Sequence, residues 1–274
     1  MQRILLLLLA TVFVGSTLAQ KNKSTAPVAS ALNAEQYKGI KWRNIGPGRG
    51  GRANAIAGHP TNENVYFVGY TGGGVWKTED AGIVWKNVSD GFFKVGSMGD
   101  IAISESDPNV IYVGTGEHAV RGVMTSYGDG VYKSTDGGKS WKNMGLEKTR
   151  HISDVVVHPH NSDVVLVAAQ GSVHGASPDR GVYKSIDGGT TWKRTLFVDD
   201  NTGISSLSMD MTNPRILYAA TWPHRRYPWK VESGPTSAIW KSTDGGETWN
   251  KIVEGLPKEM GKIGVSVSRA NPNR

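Results

Sequence analysis

Short stretches in which apolar and polar residues alternate recur along this chain, each closed by a turn signal. Asp100-Ile101-Ala102-Ile103-Ser104 alternates with a period of two and runs into Asp107-Pro108-Asn109. Val110-Ile111-Tyr112-Val113-Gly114 follows as a second apolar run. Alternation of this kind predicts half-buried strands, and the Pro/Asn clusters predict the turns between them. After a variable loop, Val131-Tyr132-Lys133 predicts a third strand and Trp141-Lys142-Asn143-Met144 a fourth. Beyond residue 19 no long segment has a helical period.

The four-strand pattern repeats around a motif, S/T-x-D-x-G-x-x-W, that occurs four times. Its fixed residues are Thr78, Asp80, Gly82 and Trp85; Ser134, Asp136, Gly138 and Trp141; Ser185, Asp187, Gly189 and Trp192; and Ser242, Asp244, Gly246 and Trp249. Successive aspartates are 56, 51 and 57 residues apart. The motif has the chemistry of a hairpin turn, which makes these residues structural staples rather than catalysts. The carboxylate accepts backbone N–H groups, the glycine takes positive φ, the hydroxyl adds a local bond and the indole packs beneath. Four antiparallel strands in about 50 residues make one blade of a β-propeller. The fold expected is therefore all-β, with four complete blades and an orphan strand at each end: Lys41-Trp42-Arg43-Asn44-Ile45 reads as a fourth strand and Lys262 to Val267 as a first. That register predicts an N-terminal fragment of a longer protein, with the missing C-terminal blades as its first partner.

The N-terminus changes the compartment. Arg3, an apolar run from Ile4 to Val14, and Thr17-Leu18-Ala19 give the charge, core and cleavage-site order of a secretory signal peptide, too short for the roughly 20 apolar residues of a membrane span. The expected organisation is a signal peptide over 1–19, a flexible leader over 20–40 and the partial propeller over 41–274, exported to the periplasm or the outside and without a membrane span. The chain has no cysteine, which excludes disulfides, thiolate metal sites and a cysteine nucleophile. Its formal charge of +7 falls to +6 once Arg3 is removed, and the basic residues are scattered, a pattern that argues against nucleic acid.

Candidate chemistry gathers in the loops between second and third strands, which share the channel face of a propeller. Glu117, His118, Arg121, Tyr127 and Asp129 lie in one loop, and His174, Asp179 and Arg180 in the next. Trp222, His224, Arg225, Arg226, Tyr227, Trp229 and Glu232 lie in the third. Aromatic faces stack on sugar rings while carboxylates and arginines bind hydroxyl or anionic groups, so a glycan or polypeptide ligand is expected at His118, Arg121, Tyr127, His174, Arg180, Trp222, Arg225, Arg226, Tyr227 and Trp229. Glu117, Asp129, Asp179 and Asp100 are the carboxylates available for hydrolysis. No cofactor and no metal is expected. Gly46, Gly48 and Gly51 satisfy G-x-G-x-x-G but precede a strand rather than a helix, and His158-Pro159-His160 falls at the turn position of His59-Pro60.

The motif resembles the Asp-box, or BNR, repeat. With Trp42 to Pro47, Gly72 to Lys77, Gly114 to Glu117 and Ser126 to Gly130, the chain over residues 41–274 resembles bacterial propellers grouped with sortilin N-terminal domains or family-74 glycoside hydrolases. The resemblance implies a propeller that either binds a ligand on its channel face or hydrolyses a glycan with carboxylates lying partly outside this chain. In family-74 xyloglucanases an aspartate before the paired glycines of the first blade is the catalytic base. Thr71 stands at that position here and cannot serve as a carboxylate base.

Overall fold

The computed structural model describes residues 52–119, 125–227 and 229–273, and at Arg226 and Val231 the backbone alone. The signal peptide, the leader, the lone strand at Lys41, the G-x-G-x-x-G segment and Arg121 lie outside the described residues.

Four antiparallel sheets follow one another along the chain. Blade I comprises β1 (Ala53–Gly58), β2 (Tyr66–Tyr70), β3 (Gly74–Thr78) and β4 (Lys86–Asn87). Blade II comprises β5 (Met98–Ile103), β6 (Ile111–Thr115), β7 (Val131–Ser134) and β8 (Lys142–Asn143). Blade III runs through β9 (Ile152–His158), β10 (Asn161–Ala169), β11 (Gly181–Ser185) and β12 (Lys193–Leu196). Blade IV begins with β13 (Thr202–Met209) and β14 (Leu217–Pro223). It then inserts a two-stranded hairpin, β15 (Arg226–Tyr227) and β16 (Lys230–Val231), before β17 (Ala238–Ser242) and β18 (Asn250–Ile252). The hairpin is a departure from the sequence expectation, which treated residues 221–238 as a loop.

The second strands β6 and β10 are buried on both faces because a blade lies against each side of them. All five residues of β6 are buried. Ile111 and Val113 join Phe67, Val75, Met98 and Trp141 between blades I and II, whereas Tyr112 turns the other way to join Ile152, Val165 and Val167 between blades II and III. A third layer, built on Leu166, Val182, Leu207 and Leu217, separates blades III and IV. The core is thus three inter-blade layers, as a period of two requires when both faces are covered.

The first strands neighbour one another in the order β1, β5, β9, β13, leaving an unclosed arc of blades. Side chains at one repeat position stitch this inner wall. Asn54 Nδ2 donates to the Met98 carbonyl (3.2 Å), the Val155 N–H to Asp100 Oδ2 (2.8 Å) and the Leu207 N–H to Asp154 Oδ2 (2.8 Å). Beyond β13 the segment expected as a further first strand lies in place but forms no regular ladder. Ser205 Oγ donates to the Ile263 carbonyl (2.7 Å), and the Val267 N–H donates to Ser208 Oγ (3.0 Å). Side chains supply these bonds, so the segment is extended without being a regular strand.

The four repeat turns share one hydrogen-bond pattern. In blade II, Ser134 Oγ donates to Asp136 Oδ1 (2.8 Å) and accepts the Gly138 N–H (2.9 Å), while Asp136 accepts from the Ser140 N–H and hydroxyl. Thr78 with Asp80, Ser185 with Asp187 and Ser242 with Asp244 repeat it. The indoles reach further than their own turns. Trp141 Nε1 donates to the Val88 carbonyl (2.9 Å), Trp192 to that of Met144 (2.8 Å) and Trp249 to Thr195 Oγ1 (3.2 Å), each on the preceding blade. Trp85 instead bonds the Gly82 carbonyl of its own turn (3.0 Å).

Candidate functional site

The repeat turns and the first-to-second-strand turns share one rim. The Gly137 N–H donates to the Asn109 carbonyl, the Gly188 N–H to Asp163 and the Gly245 N–H to Arg215. His59 and His158 cap turns on that rim, their Nδ1 atoms accepting the Asn62 and His160 N–H groups. The opposite end of the strands carries the second-to-third-strand loops, and there most of the candidate residues are found.

In blade II, Glu117 is buried and paired with Arg52 of blade I, while its second oxygen takes the Ser126 N–H (3.4 Å). His118 Nδ1 donates to the Gly99 carbonyl (2.8 Å), and burial moves its pKa down. Asp129 accepts from the Tyr132 hydroxyl (2.7 Å), so its carboxylate is turned into its own blade. Tyr127 is exposed, with the His151 ring 5.2 Å and the His174 ring 6.0 Å away and the Arg150 guanidinium 5.1 Å over its face. Arg150 has a φ of 64°, uncommon outside glycine, and its carbonyl accepts the Gly128 N–H.

In blade III, Arg180 is wholly buried. Its guanidinium donates to the Asp200 carbonyl (2.8 Å), that of Gly175 (3.1 Å) and those of Gln170 and Ser172. It thereby ties the loop together from within, and burial lowers its pKa to about 10. Asp179 is half-buried and His174 exposed.

In blade IV, Trp222 is buried with Nε1 on the Glu232 carbonyl (2.7 Å), and its ring meets the buried His224 edge-on at 4.5 Å. The hairpin projects Trp229, 81% exposed, stacked on Tyr227 at 5.8 Å and 22°. Arg225 precedes the hairpin.

Of the four candidate carboxylates, Asp100 belongs to the inner wall rather than to a loop. Sequence reasoning missed its counterpart, Asp154, although the two hold the same repeat position. Burial pushes both carboxyls up, and the Asp100 charge pushes Asp154 further. Also missed were His151, Arg150 and Lys262, which sit where one blade passes to the next, and Gln170 at the end of β10. Thr71 Oγ1 accepts from Asn54 Nδ2 (2.9 Å), a structural bond at the position where a base would stand. Among the described residues no group of three or more His, Cys, Asp or Glu side chains is placed to hold a metal.

Four-stranded antiparallel blades ranked about an axis, with their long loops gathered at one end, define an incomplete β-propeller. The chain resembles sortilin-type and family-74 propellers. The family described as "Sortilin, neurotensin receptor 3" matches residues 129–261. A xyloglucanase of Paenibacillus sp. is 24% identical over 82% of this chain and 23% of its own length, and xyloglucanase Xgh74A of Acetivibrio thermocellus is 24% identical over 76% of this chain and 26% of its own. Among solved structures, an ancestral GH74 enzyme superposes with a TM-score of 0.58 at 20% identity, covering 78% of this chain and 26% of that one. The GH74 enzyme of Niastella koreensis gives 0.52 at 22% identity, over 72% and 29%. The chain therefore spans about a quarter of the length of the curated relatives it matches.

Proposed function

We propose that this chain is an exported propeller that binds a glycan through its channel-face loops. The observation that carries the reading is the pair of solvent-facing aromatic sites on that face, Tyr127 in blade II and the Tyr227–Trp229 stack in blade IV. Between them lie loops rich in hydrogen-bonding and charged groups. A pyranose presents one apolar face and a rim of hydroxyls, which matches exposed rings flanked by polar side chains. The signal-peptide pattern of residues 1–19 supports export, and relatives named xyloglucanases support a carbohydrate ligand.

Hydrolysis is the second reading, favoured by those same relatives. Within this chain, however, Glu117 is committed to Arg52, Asp129 to Tyr132 and Asp100 to the Val155 N–H. A two-carboxylate mechanism would draw at least one group from elsewhere. Affinity electrophoresis in gels containing xyloglucan and other soluble polysaccharides separates the readings. Trp229→Ala and Tyr127→Ala are each expected to weaken retardation about fivefold or more, the equivalent of roughly 1 kcal/mol for a lost ring contact. Unaltered retardation in both variants would refute this face as the binding surface. Sugar release that disappears in Glu117→Gln would favour hydrolysis.

A further inference from the structure

The channel face gathers cations that no carboxylate meets in an ion pair among the described residues. Arg225, Arg150, Arg180 and Lys262 form no ion pair within 4 Å among the described residues, in contrast to Arg52, Lys133, Lys184 and Lys193, each of which does. They are close to one another and to the aromatic groups. Lys262 Nζ lies 6.0 Å from the Trp222 ring, Arg150 lies over Tyr127, and Arg225 Nη1 is close enough that a Cβ on Gly175 would stand 3.9 Å from it. Buried polar atoms in the same place have no protein partner: Arg225 Nη1, His224 Nε2 and Gln170 Oε1. Burial first, and then Arg180 and Lys262, depress the pKa of His224, and burial and then Arg225 that of Arg180, so these cations repel one another and together make the place electropositive. Glu117 holds Arg52, while Asp199, which accepts the Asn201 and Thr202 N–H groups, and Asp200 act on Arg180 only at a distance, without an ion pair. Asp154 acts on Lys262 without an ion pair.

Unpaired, partly desolvated cations favour an anion that brings its own charge into the site. We infer that the ligand taken between the Tyr127 loop and the β15–β16 hairpin is an acidic glycan, its carboxylate held by Arg225 and Lys262 while a sugar face stacks on Trp229. This rests on the glycan reading above and narrows it to chains bearing uronic acid, because exposed rings beside the cations suit a pyranose better than an extended acidic peptide.

The test compares full-chain binding to sodium polygalacturonate and to its fully methyl-esterified form, which share a backbone and differ in charge. The acidic form is expected to bind at least tenfold tighter at low ionic strength, and the preference to shrink in 0.5 M salt, roughly where screening removes exposed charge effects. Arg225→Gln and Lys262→Gln should each lower the acidic-to-neutral ratio at least fivefold. Circular dichroism controls for folding, and Lys262→Gln decides if Arg225→Gln does not fold. Equal binding of the two polymers, or a preference that survives both substitutions, would overturn the acidic-glycan inference and leave the glycan reading standing. Tighter binding of poly-glutamate than of polygalacturonate would overturn it in favour of a polypeptide ligand. Binding to no polysaccharide at all would remove the glycan reading itself.

Discussion

Asp100 and Asp154 illustrate how one residue position carries two roles. Each carboxylate accepts a backbone N–H from the next blade, which is the bond that sets one inner strand against its neighbour. Two carboxylates crowded on one wall oppose each other's ionisation, and burial opposes it further, so the pair keeps a proton near neutrality. A folded-state pKa raised above the unfolded value means the native chain holds more protons between about pH 4 and pH 8, so stability declines as pH rises through that window. Asp154→Asn keeps an acceptor for the Leu207 N–H and removes the charge. Its melting temperature should match the parent only at about pH 4 and below, and exceed it by a margin that grows up to pH 8–9, an effect on the order of a few kcal/mol. Parallel melting curves from pH 5 to pH 9 would show that Asp154 ionises freely.

At the scale of the element, the repeated turn is a clamp between blades. The serine or threonine hydroxyl and the aspartate organise the turn, and the glycine admits the close approach: a Cβ on Gly138, whose φ is +86°, would stand 2.8 Å from the Phe67 ring of blade I. The indole then reaches across to the preceding blade. Trp141→Phe should cost about 1–3 kcal/mol in urea unfolding, because the Val88 carbonyl loses a buried donor. Trp85→Phe should cost about 1 kcal/mol or less, since the Trp85 bond lies within its own turn. Equal costs would mean that the indoles act only as local packing. The strands and their order were legible in the sequence because a first strand such as β5 alternates with a period of two, because a second strand covered on both faces, such as β6, is a continuous apolar run, and because the turn demands a fixed set of residues. The β15–β16 hairpin was not legible. Its strands are two residues long around Pro228-Trp229, and nothing in Arg226 to Val231 alternates for long enough to signal pairing. For the site, Tyr127, Trp229 and Arg225 could be found as chemistry-bearing residues in long loops. Sequence position alone could not tell that Arg180 and Trp222 face inward, since that depends on which carbonyls the folded loops present. Lys262 and Arg150 escaped notice because only the stacking of blades brings the connections between them beside those loops.

Over the whole molecule the chain divides its labour between two ends of the strands. One rim is occupied by the repeat turns, whose carboxylates are spent on backbone N–H groups and hydroxyls. Asp136 and Asp187 are held to pKa values of about 2: burial, the largest single effect on Asp136, pushes it up but is outweighed by the combined bonds from Ser140, Ser134 and the Lys139 N–H, and Asp187 is held chiefly by its bonds to Thr191. The other rim carries unpaired cations, buried imidazoles and exposed rings. Burial, with help from His174, pushes His151 down to about 3. On the last blade a recess of about 810 Å³, bordered by Tyr218, Ile239, Ile252, Leu256, Val265 and Val267, leaves an apolar flank uncovered among the described residues. On the proposed reading, ligand contact belongs to the channel face and mechanical cohesion to the opposite rim. Hydrogen exchange of the full chain with and without saturating oligogalacturonate tests that division directly. Protection is predicted in residues 125–130, 171–180 and 224–232 with none in the turns at 78–85, 134–141, 185–192 and 242–249. Protection confined to those turns would contradict it.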